Sequence, residues 1–205
     1  MILELCARVE TSVDSSVRSL MQCDVELAKQ VIDADTVIDS KEIEVEEECL
    51  KILALHQPVA IDLRIIVGIL KINNDLERIG DLAVSIARRS FLIKKHEGED
   101  TVLDFSRMVA RVQSMLKKSL DAFVNLDPEM ARDVCLEDDE VDDMNREIFD
   151  HVKNKIRKKP EEIGTWIHHV SVSRNLERIA DHATNIAEDV IYMITGEIVR
   201  HHPKE

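Results

Sequence analysis

Four carboxylate pairs at helical spacing are the residues with the most chemical content in this chain. Glu77 and Asp81 stand four apart, and so do Glu177 and Asp181; Asp35 and Asp39, and Asp138 and Asp142, repeat the spacing earlier in each half. On a helix, side chains four apart lie on adjacent turns of one face. Each pair is therefore near enough to share one ion. Without a cation such a pair is unfavourable by about 0.2–0.5 kcal/mol on an exposed helix. If the two pairs of each half face one another, four carboxylates converge. An oxygen-rich set suits iron(III), manganese, magnesium or calcium, and suits zinc less in the absence of Cys and His ligands.

The competing reading is a solvated charged face, with Arg78 as the partner of Asp81. Recurrence of the acids in both halves favours ligation, because their neighbours diverge: Leu82 becomes His182 and Val84 becomes Thr184. Other polar residues carry less. Glu42 and Glu46 extend the acidic line of their helix, where solvation is the simpler role. His169 falls on an apolar seam, His182 projects toward the solvent side, and His168, His201 and His202 have no ligand spacing. Trp166 reads as a packing residue.

The elements that must position these acids are helices. Glycine and proline number five and four in 205 residues, and aromatics are only 3%, so the core is aliphatic and little interrupts helical runs. The first helix spans about 2–21. Asp24 reads as an N-cap for a second that ends at His56-Gln57-Pro58, since the residue before proline leaves the helical region. A third runs to about Lys94. The polar segment 96–100 marks a boundary, giving repeats 1–97 and 98–205. A fourth helix opens at Thr101 or Asp104 and ends near Asn125. Asp127-Pro128 starts a fifth, Lys159-Pro160 stops it, and a sixth runs from about Glu162 to Thr195, with Gly196 as C-cap.

The halves are copies. Leu76-Glu77-Arg78-Ile79-Gly80-Asp81-Leu82-Ala83-Val84-Ser85-Ile86-Ala87 and the segment from Leu176 to Ala187 share eight of twelve positions. Asp24, Leu27, Ala28 and Val31 match Asp127, Met130, Ala131 and Val134, and Asp39 falls on Asp142. The offset changes by three residues between second and third helices, so one copy has the shorter connection. The fold class is all-α: six helices as two tandem three-helix bundles related by internal pseudo-symmetry. Along the third helix Ile65, Ile69, Ile72, Leu76, Ile79, Ala83 and Ile86 form a bundle seam, with Arg64, Lys71 and Arg78 on a common wet flank.

A formal net charge of −14 argues against a nucleic-acid partner. The apolar stretch 65–70 is too short to span a bilayer, and Glu4 and Arg8 interrupt any signal-peptide core, so a cytoplasmic location is expected. Cys6, Cys23, Cys49 and Cys135 are scattered without a Cys-x-x-Cys and read as idle thiols in a reducing compartment.

The duplicated Leu-Glu-Arg-Ile-x-Asp helices resemble those of the PhoU family of phosphate-response regulators. Gln57-Pro58-Val59-Ala60-x-Asp62-Leu63-Arg64 and the ending from Asn185 through His201 carry the same resemblance, which covers essentially the whole chain. It implies a PhoU-like pair of three-helix bundles whose surface metal clusters are held by Glu77, Asp81, Glu177 and Asp181, with Asp35, Asp39, Asp138 and Asp142 opposite. Iron and zinc are the metals the family suggests. The resemblance further implies a non-enzymatic, cytoplasmic, often dimeric negative regulator. Its partners would be the ATPase subunit of a phosphate-specific ABC transporter and a PhoR-type sensor histidine kinase. A structural helical adaptor without metal, or a carboxylate-bridged metalloenzyme, are the alternatives. The latter usually uses Glu-x-x-His, which this sequence lacks.

Overall fold

The computed structural model describes residues 1–95 and 103–199. They form α1 (Ile2–Met21), α2 (Val25–His56), α3 (Ala60–Lys95), α4 (Ser106–Asn125), α5 (Pro128–Lys158) and α6 (Ile163–Thr195), with a 3-10 turn over Pro160–Glu162 before α6. The boundary expected at residues 97 and 98, and a fourth-helix start at Thr101, lie outside the described residues.

Helix ends follow the local chemistry. Asp24 accepts hydrogen bonds from the backbone N–H groups of Glu26 and Leu27, both at 3.0 Å. Asp127 does the same for Glu129 and Met130, with Pro128 behind it. These side chains satisfy donors that the first helical turn cannot pair internally. Before each cap stands a residue with φ of +51°, Cys23 in one copy and Leu126 in the other, so the two corners are the same turn. Asp104 accepts from the Ser106 N–H just ahead of α4. Gly196 ends α6 at φ +78°, a left-handed conformation that favours glycine.

The corner between second and third helices is where the copies part. Three residues, Gln57 to Val59, separate α2 from α3, and Gln57 takes a left-handed φ of +47°. In the second copy a single residue, Lys159, separates α5 from the 3-10 turn, and that turn occupies the place of the first turn of α3. The three-residue change of offset is absorbed here.

Within each copy the three helices pack on one another, and the copies meet chiefly through α3 against α6, with a smaller α1–α4 contact. Cross-links between α3 and α6 run Gly68 to Met193, Lys71 to Asp189, Asp75 to Asn185, and Ser85 to Asn175, so the two helices are antiparallel. Ile72, Leu76, Ile79, Ala83 and Ile86 are completely buried along the expected seam, and Leu176, Ile179, Ala183 and Ile186 repeat this in α6. One apolar core runs through both bundles.

Three placements differ from the helical-wheel expectation. His182 does not face solvent: its Nδ1–H donates to Asp75 across the α3–α6 interface at 2.7 Å, and its side chain is 18% exposed. Lys71 binds the buried Asp189 at 3.1 Å, and Arg64 has a buried Nε. The flank expected to be wet is partly covered by α6 at Arg64 and Lys71, while Arg78 is exposed as expected. His169, by contrast, is buried on the seam; its Nδ1–H donates to the Thr165 carbonyl, and its ring stacks on Phe105 and tilts against Trp166. Burial pushes the Cys6 thiol up to about 12, which keeps it protonated and inert.

Replacing either cap, Asp24→Ala or Asp127→Ala, is expected to cost about 1 kcal/mol of stability. The two sites are on different corners, so the double variant should lose roughly the sum. Urea denaturation followed by circular dichroism measures both; unmoved midpoints would remove the caps from the account.

Candidate metal centres

The packing of α2 explains how carboxylates come to lie between helices. Val31, Ile38 and Val45, seven apart, are its buried ridge. The next row along the same face reads Ala28, Asp35, Glu42 and Cys49, also seven apart. Its two ends, Ala28 and Cys49, are buried as a bundle seam requires; its two middle members are acids. In α5 the ridge Val134 and Val141 is accompanied by Ala131, Asp138, Asn145 and Val152, again apolar at the ends and polar in the middle. The seam between second and third helices is therefore interrupted in both copies at the same height. In the first copy, Ala28, Val31, Val84 and Ala87 form a small apolar cluster separate from the main core.

Opposite this break, the third helix presents its own pair. Asp35, Asp39, Glu77 and Asp81 come close enough to act on one another, and the raised carboxyl of Asp35 shows it. Burial first, then the charges of Asp39, Asp81 and Glu77, push Asp35 up to about 6, against an opposing pull from Arg88. Glu77 is also raised, by burial and then by Asp81, Asp39 and Glu42, with Arg78 opposing. In the second copy burial and then Glu177, Asp138 and Asp142 push Asp181 up to about 6, with His182 opposing. Glu177 is raised by burial and by Asp142 and Asp138, against Arg174 and Arg178. Within each copy the four acids singled out by spacing thus lie within electrostatic reach of one another.

Details differ between the groups. Asp35 Oδ1 is buried without a hydrogen-bond partner. Gly80 lets α3 approach it: a Cβ there would stand 3.2 Å from Ile38 Cγ2 and 3.7 Å from that oxygen. The second copy carries Ala180 at this point, and Asp138 accepts from the Thr184 hydroxyl at 3.3 Å. Arg78 is a loose partner, 3.4 Å from Glu77 and 3.9 Å from Asp81. Glu42 is not simply solvated. The buried Asn73 donates to its backbone carbonyl and its carboxylate at 2.9 and 3.1 Å, and its pKa is raised by burial, then by Glu46 and Asp39. Sequence spacing could not find this residue's partner, because Asn73 lies on another helix.

An all-carboxylate set with an orphaned buried oxygen suits a hard cation, whose charge would replace the mutual repulsion with attraction. Among the described residues, no three His, Cys, Asp or Glu side chains already stand gathered about one point. Asp39 and Asp81, both exposed, would have to swing inward to complete a shell.

The comparisons with known proteins bear on the same repeats. The family model of the PhoU domain matches residues 2–90 and again residues 105–190. The chain belongs to the PhoU family. A relative from Pseudomonas aeruginosa, named "Phosphate-specific transport system accessory protein PhoU homolog", is 38% identical over 201 residues, 98% of this chain and 83% of the relative. One of the same name from Aquifex aeolicus is 37% identical over all of this chain and 93% of its own length. The crystal structure of PhoU from Pseudomonas aeruginosa superposes with a TM-score of 0.92 at 36% identity, covering 96% of this chain and 94% of that one. The phosphate transport system regulatory protein PhoU from Streptococcus pneumoniae gives 0.87 at 28% identity, covering 97% and 93%. The six-helix, twice-repeated architecture is thus the PhoU fold. Among the described residues no helix is long and apolar enough to cross a membrane.

The raised carboxyls set a pH dependence. Asp35 and Asp181 titrate near 6 when folded, above the ordinary carboxylate value of about 3.9, so between about pH 4 and 6 the folded chain holds more protons than the unfolded one. Stability of the metal-free protein therefore falls as pH rises through that window. The variant Asp35→Asn/Asp181→Asn should melt higher than the parent at pH 7 without metal, and its melting temperature should change less between pH 5 and pH 7. Thermal scans in chelator across that range test this; equal slopes for both proteins would contradict it.

Proposed function

We propose that this chain is a metal-binding, non-enzymatic accessory protein of a phosphate-specific transport system. In this reading it holds the phosphate-starvation response off when phosphate is plentiful. The observation that carries the transport role is the near full-length similarity to relatives that bear that name, spread over both copies rather than one. In this reading it works in the cytoplasm, as a homodimer, between the ATPase subunit of the transporter and a PhoR-type sensor histidine kinase. Those partners are what membership of the family suggests.

The metal ligands proposed are Asp35, Asp39, Glu77 and Asp81 in the first repeat and Asp138, Asp142, Glu177 and Asp181 in the second. Support comes from their placement in a seam where apolar side chains would pack better, and from the raised carboxyls they impose on one another. Iron or zinc follow from the family; manganese, magnesium and calcium are the alternatives that suit oxygen donors. A bound cation would supply positive charge that locks the second helix of each repeat onto the third. The chain's own contribution is to hold the carboxylates together and to anchor the helices through Val31, Ile38, Val134 and Val141 on either side.

Metal content of protein purified without chelator, beside Glu77→Ala/Asp81→Ala/Glu177→Ala/Asp181→Ala, tests the ligation. The parent should retain iron, zinc or manganese that the variant lacks; equal content removes the metal from the proposal. The regulatory part is tested in cells. Deleting the gene should raise phosphate-transporter and phosphatase expression in phosphate-replete medium, and an unchanged level would refute the negative role.

A further inference from the structure

Residues 103 apart correspond in the first two helices of each copy, as Asp24 with Asp127 and Cys23 with Leu126 show. Applied to the outer cleft between the first and second helix, this register reveals a contrast. In the second copy the cleft is crossed by ion pairs: Arg111 binds Glu137 and Glu140, and Lys118 also binds Glu137. Met115 is completely buried beneath. The first copy keeps Arg8 in place of Arg111 but has Ala34 for Glu137, Val37 for Glu140, Ser15 for Lys118 and Ser12 for Met115. Each of these four changes removes bulk or an ion-pair partner, and the first copy is crossed instead at one end of the cleft, where Lys41 stands 3.7 Å from Glu4.

The result is an open cleft of about 470 Å³ between α1 and α2. That volume is within the roughly 300–1,000 Å³ typical of small-molecule sites. Leu27, Val31, Ala34 and Ile38 form its apolar side, about 16 Å along the α2 axis at 1.5 Å per residue. Ser12 lines it, is only 7% exposed, and its Oγ is buried with no hydrogen-bond partner. A buried hydroxyl of this kind is destabilising unless something accepts its proton. One turn away on the same face, Arg8 gives Nε and Nη2 to Glu4 at 3.2 and 2.9 Å. That pair is about half exposed and so weakly held, and Lys41 stands 3.7 Å from the other Glu4 oxygen, so Glu4 keeps a cation when Arg8 turns to a ligand.

We propose that this cleft binds a carboxylate-headed amphiphile. The carboxylate accepts from Ser12 Oγ–H and from the Arg8 guanidinium, in competition with Glu4. The apolar chain lies along Leu27 and Ala34, over the buried floor of Val31 and Ile38. The site is separate from the carboxylate groups proposed to hold metal and does not depend on them.

Sodium dodecanoate, kept below its micellar concentration, is the probe for calorimetric titration of the full chain. One saturable site is expected. Ser12→Met and Ala34→Glu each restore the residue of the sealed copy and should weaken binding at least about tenfold. Ala34 is exposed, so replacing it with glutamate disturbs no core. Arg8→Gln should weaken dodecanoate while sparing the uncharged dodecanol. Absence of a saturable site overturns the proposal. So does unchanged binding in both cleft-sealing variants, which would place the probe on another apolar surface.

Discussion

The antiparallel packing of α3 on α6 is the constraint from which the rest of the molecule follows. Each of these helices must bury a seam of Ile, Leu and Ala against its own bundle and a second face against the other copy. Little of their circumference is left. The carboxylates Glu77 and Glu177 sit at the remaining edge, where the second helix of each bundle leans in. Had the third helices been solvent-facing, those acids would be ordinary surface charges with no reason to perturb one another.

Like charges in a helix seam need an explanation, because they oppose the packing that surrounds them. Burial and repulsion together raise Asp35 and Asp181 to about 6, which is how the cost of ionising them in the seam shows itself. The apolar ridges through Val31, Ile38 and Val45, and through Val134 and Val141, carry the attachment of the second helices across the acidic break. The seam is held by its flanks. Its middle carries the acids, at a cost to the stability of the chain.

Much of this is legible in the sequence, for reasons that can be located. Asp24, Asp127-Pro128 and Gly196 act on their own backbone within a few residues, so the helix ends they set can be read locally. The four-residue spacing of the acids is likewise a property of one helix. That the pairs from two helices come within electrostatic reach of one another is legible only because the duplication places them in corresponding positions twice. What is not legible is contact across the bundle. His182 looks solvent-facing on its own helix, because nothing near it in sequence discloses Asp75 on α3. Lys71 is misread in the same way, since Asp189 lies 118 residues away. The hold of Asn73 on Glu42, and the opening left by Ser12, also depend on neighbours that only the packed bundles supply.

The α3–α6 interface is also where the two copies differ in a complementary way. Around its pseudo-two-fold axis, Asp75 meets His182 and Asn185 on one side, and the corresponding Asn175 meets Ser85 on the other, with Leu82 in the place of His182. A dimer of first repeats alone would set Asp75 against Leu82, a carboxylate buried beside a hydrocarbon. A dimer of second repeats would leave His182 without its anion. At these positions each half is matched to the other rather than to a copy of itself.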